Sequence, residues 1–250
     1  MNATRTKCFF DHSGQLRRPS YGQLASEMMA LLWDHPAPPD IGLLPSGDGH
    51  VVLVIPAFLT GDWATLSFRR YLQGCGLRAE GWGLGINWGP TPGLLEGLRR
   101  RLSQLREVER GPISLVGISL GGVLARDLAQ CRPNDVRQVI FMASPWRLPT
   151  ASNLEPLIHL AGRFYSQDVD PSRLRAPLPM PATSIFTRDD GIVAWQSCRA
   201  DDSTGATDMS IQVSGAHTTI CRNPQAMAAV VRRLAMNGAA MTTQSNSSAP

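Results

Sequence analysis

Ser119 stands between two glycines in Gly117-Ile118-Ser119-Leu120-Gly121, a G-x-S-x-G spacing suited to nucleophilic chemistry. A serine hydroxyl is a weak nucleophile until it is held in the open with a base beside it. The apolar run Ile113 to Ile118 precedes this serine, and a helical pattern from Leu120 to Gln130 follows it. The pattern predicts a nucleophile elbow, a sharp turn from strand to helix that lifts the hydroxyl above a sheet edge. A β-carbon at position 117 or 121 would collide in such a turn, and the serine must accept a strained backbone. The helix that begins there offers free N–H groups and the positive end of its dipole, so the N–H of Leu120 is the expected oxyanion donor.

A nucleophilic serine needs a base that titrates near neutrality, which histidine supplies. The five histidines are His12, His35, His50, His159 and His217. Carboxylates that could orient such a base are Asp189 and Asp190, which end the run Thr183 to Thr187, and the more distant Asp201 and Asp202.

These residues need a frame. From position 51 the chain alternates short apolar runs with amphipathic helices, the pattern of a mostly parallel sheet covered on both faces. The six runs are Val51 to Ile55, Leu77 to Trp82, Ile113 to Ile118, Val136 to Met142, Thr183 to Thr187 and Ser210 to Val213. Helices are expected near Ala64 to Gln73, Gly93 to Glu109, Leu120 to Gln130 and Pro224 to Met236. Ahead of them, Ser20 with Gln23 forms a capping box, and Leu24, Met28, Leu31 and Leu32 make a stripe by which an N-terminal helix would dock on the domain. The stretch from Ser144 to Met180 interrupts the alternation and is expected to be a small helical insertion over the sheet. The domain reading is therefore an N-terminal helix and connector over 1–49, a catalytic α/β domain over 50–237 with a cap at 144–180, and a disordered tail over 238–250.

Composition removes several function classes. With 250 residues and 43% apolar content, the chain can bury one substantial core. The net charge of +4 comes from arginines scattered among acids, with Lys7 the only lysine, so no basic tract points to nucleic acid. The longest apolar run, Val51 to Leu59, contains Pro56 and is too short to cross a bilayer core of roughly 30 Å. The N-terminus shows no secretory pattern and the five cysteines are widely spaced, so free thiols and a cytoplasmic location are expected. The series Gly81-x-Gly83-x-Gly85 lacks dinucleotide-binding spacing, and the acids and histidines show no metal-ligand spacing. No metal and no cofactor is expected.

The chain resembles the α/β-hydrolase superfamily, in a compact bacterial lipase/esterase-like form. The likeness covers about residues 50 to 236 and rests on three segments: Val116 to Gly122, Asp190-Gly191-Ile192-Val193, and Gly215-Ala216-His217. It implies Ser119 as nucleophile, His217 as base after the last strand, and Asp190 as orienting acid, because Asp190 precedes a small turn residue and two apolar residues. Asp189 is the alternative acid, and His159 the alternative base reaching in from the insertion. The resemblance also implies a second oxyanion donor in the loop after the first core strand, the N–H of Phe58. Here the chain departs from the family. Pro56-Ala57 replaces the common His-Gly pair, and Pro56 has no N–H to give.

The expected activity is hydrolysis of a small-molecule carboxylic ester with an apolar acyl group through an acyl-enzyme. Trp63, Leu154, Leu157 and Ile158 are the expected substrate-binding residues, beside Phe58, Leu59 and Trp146. The alternatives are a thioesterase or acyltransferase, which form the same acyl-enzyme, and a catalytically silent binding module that keeps the fold.

Overall fold

The computed structural model describes residues 19–246 apart from 110, 148–151, 155, 157, 159, 161, 163–164, 166–168 and 201–207. The apolar runs become six parallel strands: β1 (Val51–Ile55), β2 (Arg78–Gly81), β3 (Ile113–Ile118), β4 (Val136–Met142), β5 (Ala182–Thr187) and β6 (Asp208–Val213). Their order across the sheet is β2-β1-β3-β4-β5-β6. The chain steps outward from β1 to β2, then returns to the other side of β1 as β3. That reversal makes the carboxyl ends of β1 and β3 the switch point, where open α/β sheets bind their ligands.

Because side chains alternate across a strand, each face of the sheet has its own core. Leu53, Ile55, Leu115, Val139 and Phe141 pack on one face against helices α3 (Pro92–Val108) and α4 (Leu120–Cys131). Val52, Val54, Val116, Ile118, Ile140 and Met142 pack on the other against α2 (Leu66–Gly74) and the C-terminal helix Pro224–Asn246. Truncating a leucine to alanine in either core should cost about 2–5 kcal/mol.

Several elements depart from what periodicity alone suggests. A 3-10 turn over Asp62–Thr65 precedes α2, because the Asp62 carboxylate reaches the N–H groups of Trp82 (3.0 Å) and Gly83 (2.9 Å) and fixes that corner. The C-terminal helix runs through Asn246, so residues 238 to 246 are helical where a disordered tail was expected; no proline interrupts them. The N-terminal helix, α1 (Tyr21–Trp33), has its capping box but not its expected docking face. Met28, Leu31 and Leu32 are exposed, Leu24 is half-buried, and the one buried residue is Glu27.

The insertion is mixed. It contains the short helix α5 (Pro171–Arg175), a helical bond from the Ile158 N–H to the Leu154 carbonyl (2.9 Å), and an antiparallel bridge between Ser152 and Val193. Arg126 on α4 anchors it: fully buried, its guanidinium lies 4.0 Å from the Trp146 ring and donates to the carbonyls of Leu174 and Ala176. The four cysteines among the described residues are free. Among the described residues, no helix is long and apolar enough to cross a membrane.

Candidate active site

The turn out of β3 has the strain its glycines foretell. Ser119 sits at φ 51° and ψ −122°, a region L-residues rarely occupy. A β-carbon on Gly117 would strike the backbone of Gly121 and Gly122, and one on Gly121 would strike the carbonyls of Ile55 and Pro56. The elbow is thus pressed against the end of β1, with the Ser119 N–H donating to the Met142 carbonyl at 2.9 Å. Ser119 as a whole residue keeps 7% of its surface exposed.

His217 follows β6 and brings its Nε2 to 3.0 Å from Ser119 Oγ. Its Nδ1 lies 2.7 Å from Asp190 Oδ2. A carboxylate only accepts, so Nδ1 carries the ring proton and Nε2 is left to accept from the serine hydroxyl. The other Asp190 oxygen accepts from the N–H groups of Ile192 (2.9 Å) and Val193 (2.8 Å), a turn that Gly191 closes. Asp189 points elsewhere: among the described residues its carboxylate meets the Gly215 N–H, at 3.4 Å. Burial pulls the His217 pKa down, but the nearby charge and hydrogen bond of Asp190, with the charge of Glu27, outweigh it and leave the ring above the ordinary histidine value.

The loop after β1 forms despite Pro56-Ala57. The Thr60 N–H closes a turn onto the Ala57 carbonyl (3.1 Å), and the positive φ, 59°, falls on Leu59, at a place where turns usually take glycine. That conformation costs roughly 1–2 kcal/mol for a non-glycine residue. Asn87 holds it. This fully buried residue donates from Nδ2 to the Pro56 carbonyl (2.7 Å) and from its N–H to the Thr60 carbonyl (2.8 Å), and it accepts from the Leu59 N–H (2.8 Å). Among the described residues the N–H groups of Phe58 and Leu120 enter no hydrogen bond, whereas those of Leu59 and Ser119 are committed elsewhere.

The expected substrate-binding residues separate. Phe58, Leu120 and Trp146 share one apolar cluster, and Ile158 packs on it. Leu154 instead packs on Phe186, Ile192 and Val193 under the loop of Asp190, because Ser152 and Asn153 are bonded to the Ile192 carbonyl (3.0 and 2.8 Å). Trp63 is 71% exposed on its 3-10 turn. Leu157 and His159 lie outside the described residues.

Two residues escaped the sequence reading. Asn87 is the polar residue between Ile86 and Trp88, and Glu27 is the only charge in α1. An isolated polar group in an apolar setting was the available signal for both.

No family model and no curated protein matches this chain. Solved structures resemble it in fold. Lipase B of Aspergillus fumigatus superposes with a TM-score of 0.57 at 16% identity, over 79% of this chain and 55% of the lipase, so this chain spans about half of that protein. A lipase-esterase related protein from Clostridium acetobutylicum gives 0.52 at 12% identity, over 76% of this chain and 97% of its own. The RedJ-thioesterase from the prodiginine biosynthetic pathway of Streptomyces coelicolor gives 0.52 at 16% identity, over 81% and 94%. The chain has the α/β-hydrolase fold.

Proposed function

We propose that the protein is a serine hydrolase that cleaves carboxylic esters through an acyl-enzyme on Ser119. The observation that carries this reading is the hydrogen-bonded chain from Ser119 Oγ through His217 to Asp190, at 3.0 and 2.7 Å, at the carboxyl edge of the sheet. Ser119 Oγ attacks the ester carbonyl carbon while His217 Nε2 takes the hydroxyl proton. The oxygen that becomes negative is received by the N–H groups of Leu120 and Phe58, which have no other acceptor among the described residues. His217 then gives its proton to the departing alcohol, and water, activated by the same ring, releases the acid. Asp190 keeps Nδ1 protonated and offsets the imidazolium charge.

An apolar acyl group fits the cluster of Phe58, Leu120 and Trp146 with Ile158 packed on it. Each methylene buried there would add at most about 0.8 kcal/mol, or about fourfold in kcat/KM. A p-nitrophenyl ester series from acetate upward, kept below micelle-forming concentrations, is expected to rise over its first several members, and Ile158→Ser to flatten the rise without lowering acetate turnover. A flat wild-type series would remove the apolar acyl preference. A thioester acyl donor is the second reading, favoured by the fold likeness to the RedJ-thioesterase. Paired oxyester and thioester substrates with one acyl group separate the two by their kcat/KM values.

A further inference from the structure

We propose that Glu27 is a positioning residue for this site: from the N-terminal helix, its carboxylate holds the loop of Asp190 and the loop of His217 in register with each other. The inference rests on the reading of Ser119, His217 and Asp190 given above.

Glu27 is 1% exposed, and a carboxylate taken that far from water costs several kcal/mol unless its oxygens are bonded. Here they are. Oε1 accepts from the N–H of Gly191 at 2.8 Å and from the N–H of His217 at 2.7 Å. Oε2 accepts from the N–H of Thr218 at 2.9 Å and lies 2.9 Å from its hydroxyl. Gly191 is the residue after the acid, and His217 is the base itself. One oxygen therefore joins two loops that leave different strands, β5 and β6.

The helix meets these loops closely. A β-carbon on Gly191 would overlap the Gln23 carbonyl and the Glu27 side chain, so glycine there admits α1 as well as closing the turn after Asp190. Asn153 reinforces the joint, donating to the carbonyls of Gly191 (2.8 Å) and Pro19 (3.3 Å). At the far end of the helix the Thr219 hydroxyl donates to Asp34 at 3.3 Å.

Such a clamp acts on rate through geometry. The His217 ring must meet Asp190 and Ser119 together, and its backbone is held by Glu27. Misplacing a reacting group by an ångström costs on the order of a hundredfold in rate. Its charge acts too, on the same side as Asp190. Among the described residues, the charged or titratable groups around His217 are Glu27 and, through Thr219, Asp34 from α1; Asp190, with buried Cys198 near it, and Asp189 from the segment after β5; and Cys221 and Arg222, the latter paired with His35, beyond the ring's own loop. Glu27 raises the His217 pKa, and the base must be neutral to work. Removing the charge lowers that pKa, so the acid limb of the rate profile moves to lower pH.

The experiment measures kcat, KM and their pH profiles for Glu27→Gln and Glu27→Asp, normalised to the active sites titrated by a fluorophosphonate. Glu27→Gln is expected to lose roughly tenfold to a hundredfold in kcat. Its KM should stay within about twofold and its acid limb should move to lower pH. Glu27→Asp keeps the charge but not the reach, so it should lose kcat and keep the limb. A helix that merely stabilises the fold would lower Tm or the titratable fraction and leave kcat per site and the limb unchanged, which would overturn the proposal. Should neither variant fold, Thr218→Val removes only the hydroxyl contacts, to the Glu27 carboxylate (2.9 Å) and to the Glu27 carbonyl (3.2 Å). A kcat reduced severalfold at constant KM supports the clamp, and an unchanged kcat overturns it. A wild type that neither hydrolyses esters nor takes the label overturns the assignment of Ser119 first, and the role of Glu27 with it.

Discussion

At the carboxyl edge of the sheet, Ser119, His217 and Asp190 form one chain of hydrogen bonds; at the amino edge, Ser114, His50 and Asp48 form another. In the second, Ser114 Oγ lies 2.8 Å from His50 Nε2, His50 Nδ1 meets Asp48, and the other Asp48 oxygen accepts from Arg137 at 2.8 Å. Residue types and pairwise contacts are the same. The backbones differ. Ser114 is fully buried within β3, opposite Val52 and Gln138 and just past a register shift in the β3–β4 ladder, whereas Ser119 leaves the strand at positive φ beside the first N–H groups of α4. The histidines also diverge. Burial, aided by the charge of Arg137, pulls His50 below its ordinary value despite Asp48, while His217 is raised. On the proposed reading, a serine, a histidine and an aspartate in line make a site only where the strand end turns the serine out of the ladder and supplies donors for the charge that develops.

The sharpest way to separate the two chains is to remove each serine. Ser119→Ala is expected to lower kcat on any active ester by on the order of 10³ to 10⁶ with Tm little changed. Ser114→Ala should leave kcat per folded molecule unchanged and lower stability by about 1–3 kcal/mol, because His50 loses a buried partner. Comparable losses of turnover in both variants would erase the distinction. The carboxylates come next. Asp190→Asn should depress kcat by up to about 10⁴, since it removes the charge that orients His217, whereas Asp189→Asn should be mild. The opposite ranking would transfer the role to Asp189.

The smallest effect separates the edges by pH. Burial alone would raise Asp48, but the bonds from His50 and Arg137 outweigh it and hold it at about 2. Its folded value lies below its unfolded one, so its contribution to stability is present above about pH 4 and is lost as the pH falls toward its folded value. Asp48→Asn should flatten the acid side of the Tm profile over that window and leave turnover near neutrality untouched. The carboxyl edge responds at higher pH: kcat/KM should fall as the pH drops through the raised pKa of His217, above the ordinary value of about 6.5. A Tm profile unchanged by Asp48→Asn would show that the amino-edge chain is not held by this charge.

What could be read from the sequence was what is local. The tight strand-to-helix turn at Ser119 was legible because Gly117, Ser119 and Gly121 sit at a switch from strand to helix within a few residues. The order of strands and helices was legible because period and apolar content change together along the chain. Gly191 set Asp190 apart from Asp189 in the sequence, and it is the Asp190 carboxylate that meets His217 in the structure, while its role is what the Asp190→Asn and Asp189→Asn pair tests. Glu27 was not legible as a clamp, since its partners are Gly191, His217 and Thr218 far along the chain, and an apolar stripe through Met28, Leu31 and Leu32 concealed which face docks. The turn at Leu59 was equally hidden, because the Asn87 that sustains it is supplied by the connection after β2.

The proposed chemistry requires Ser119 to be the activated serine. The direct measurement is reaction of the purified protein with a fluorophosphonate, followed by mass spectrometry with fragment ions that divide Ser114 from Ser119. A single adduct on Ser119, absent from Ser119→Ala and lost from the wild type as His217 protonates, is the predicted result. No adduct, or one on Ser114 or any other serine, would contradict it.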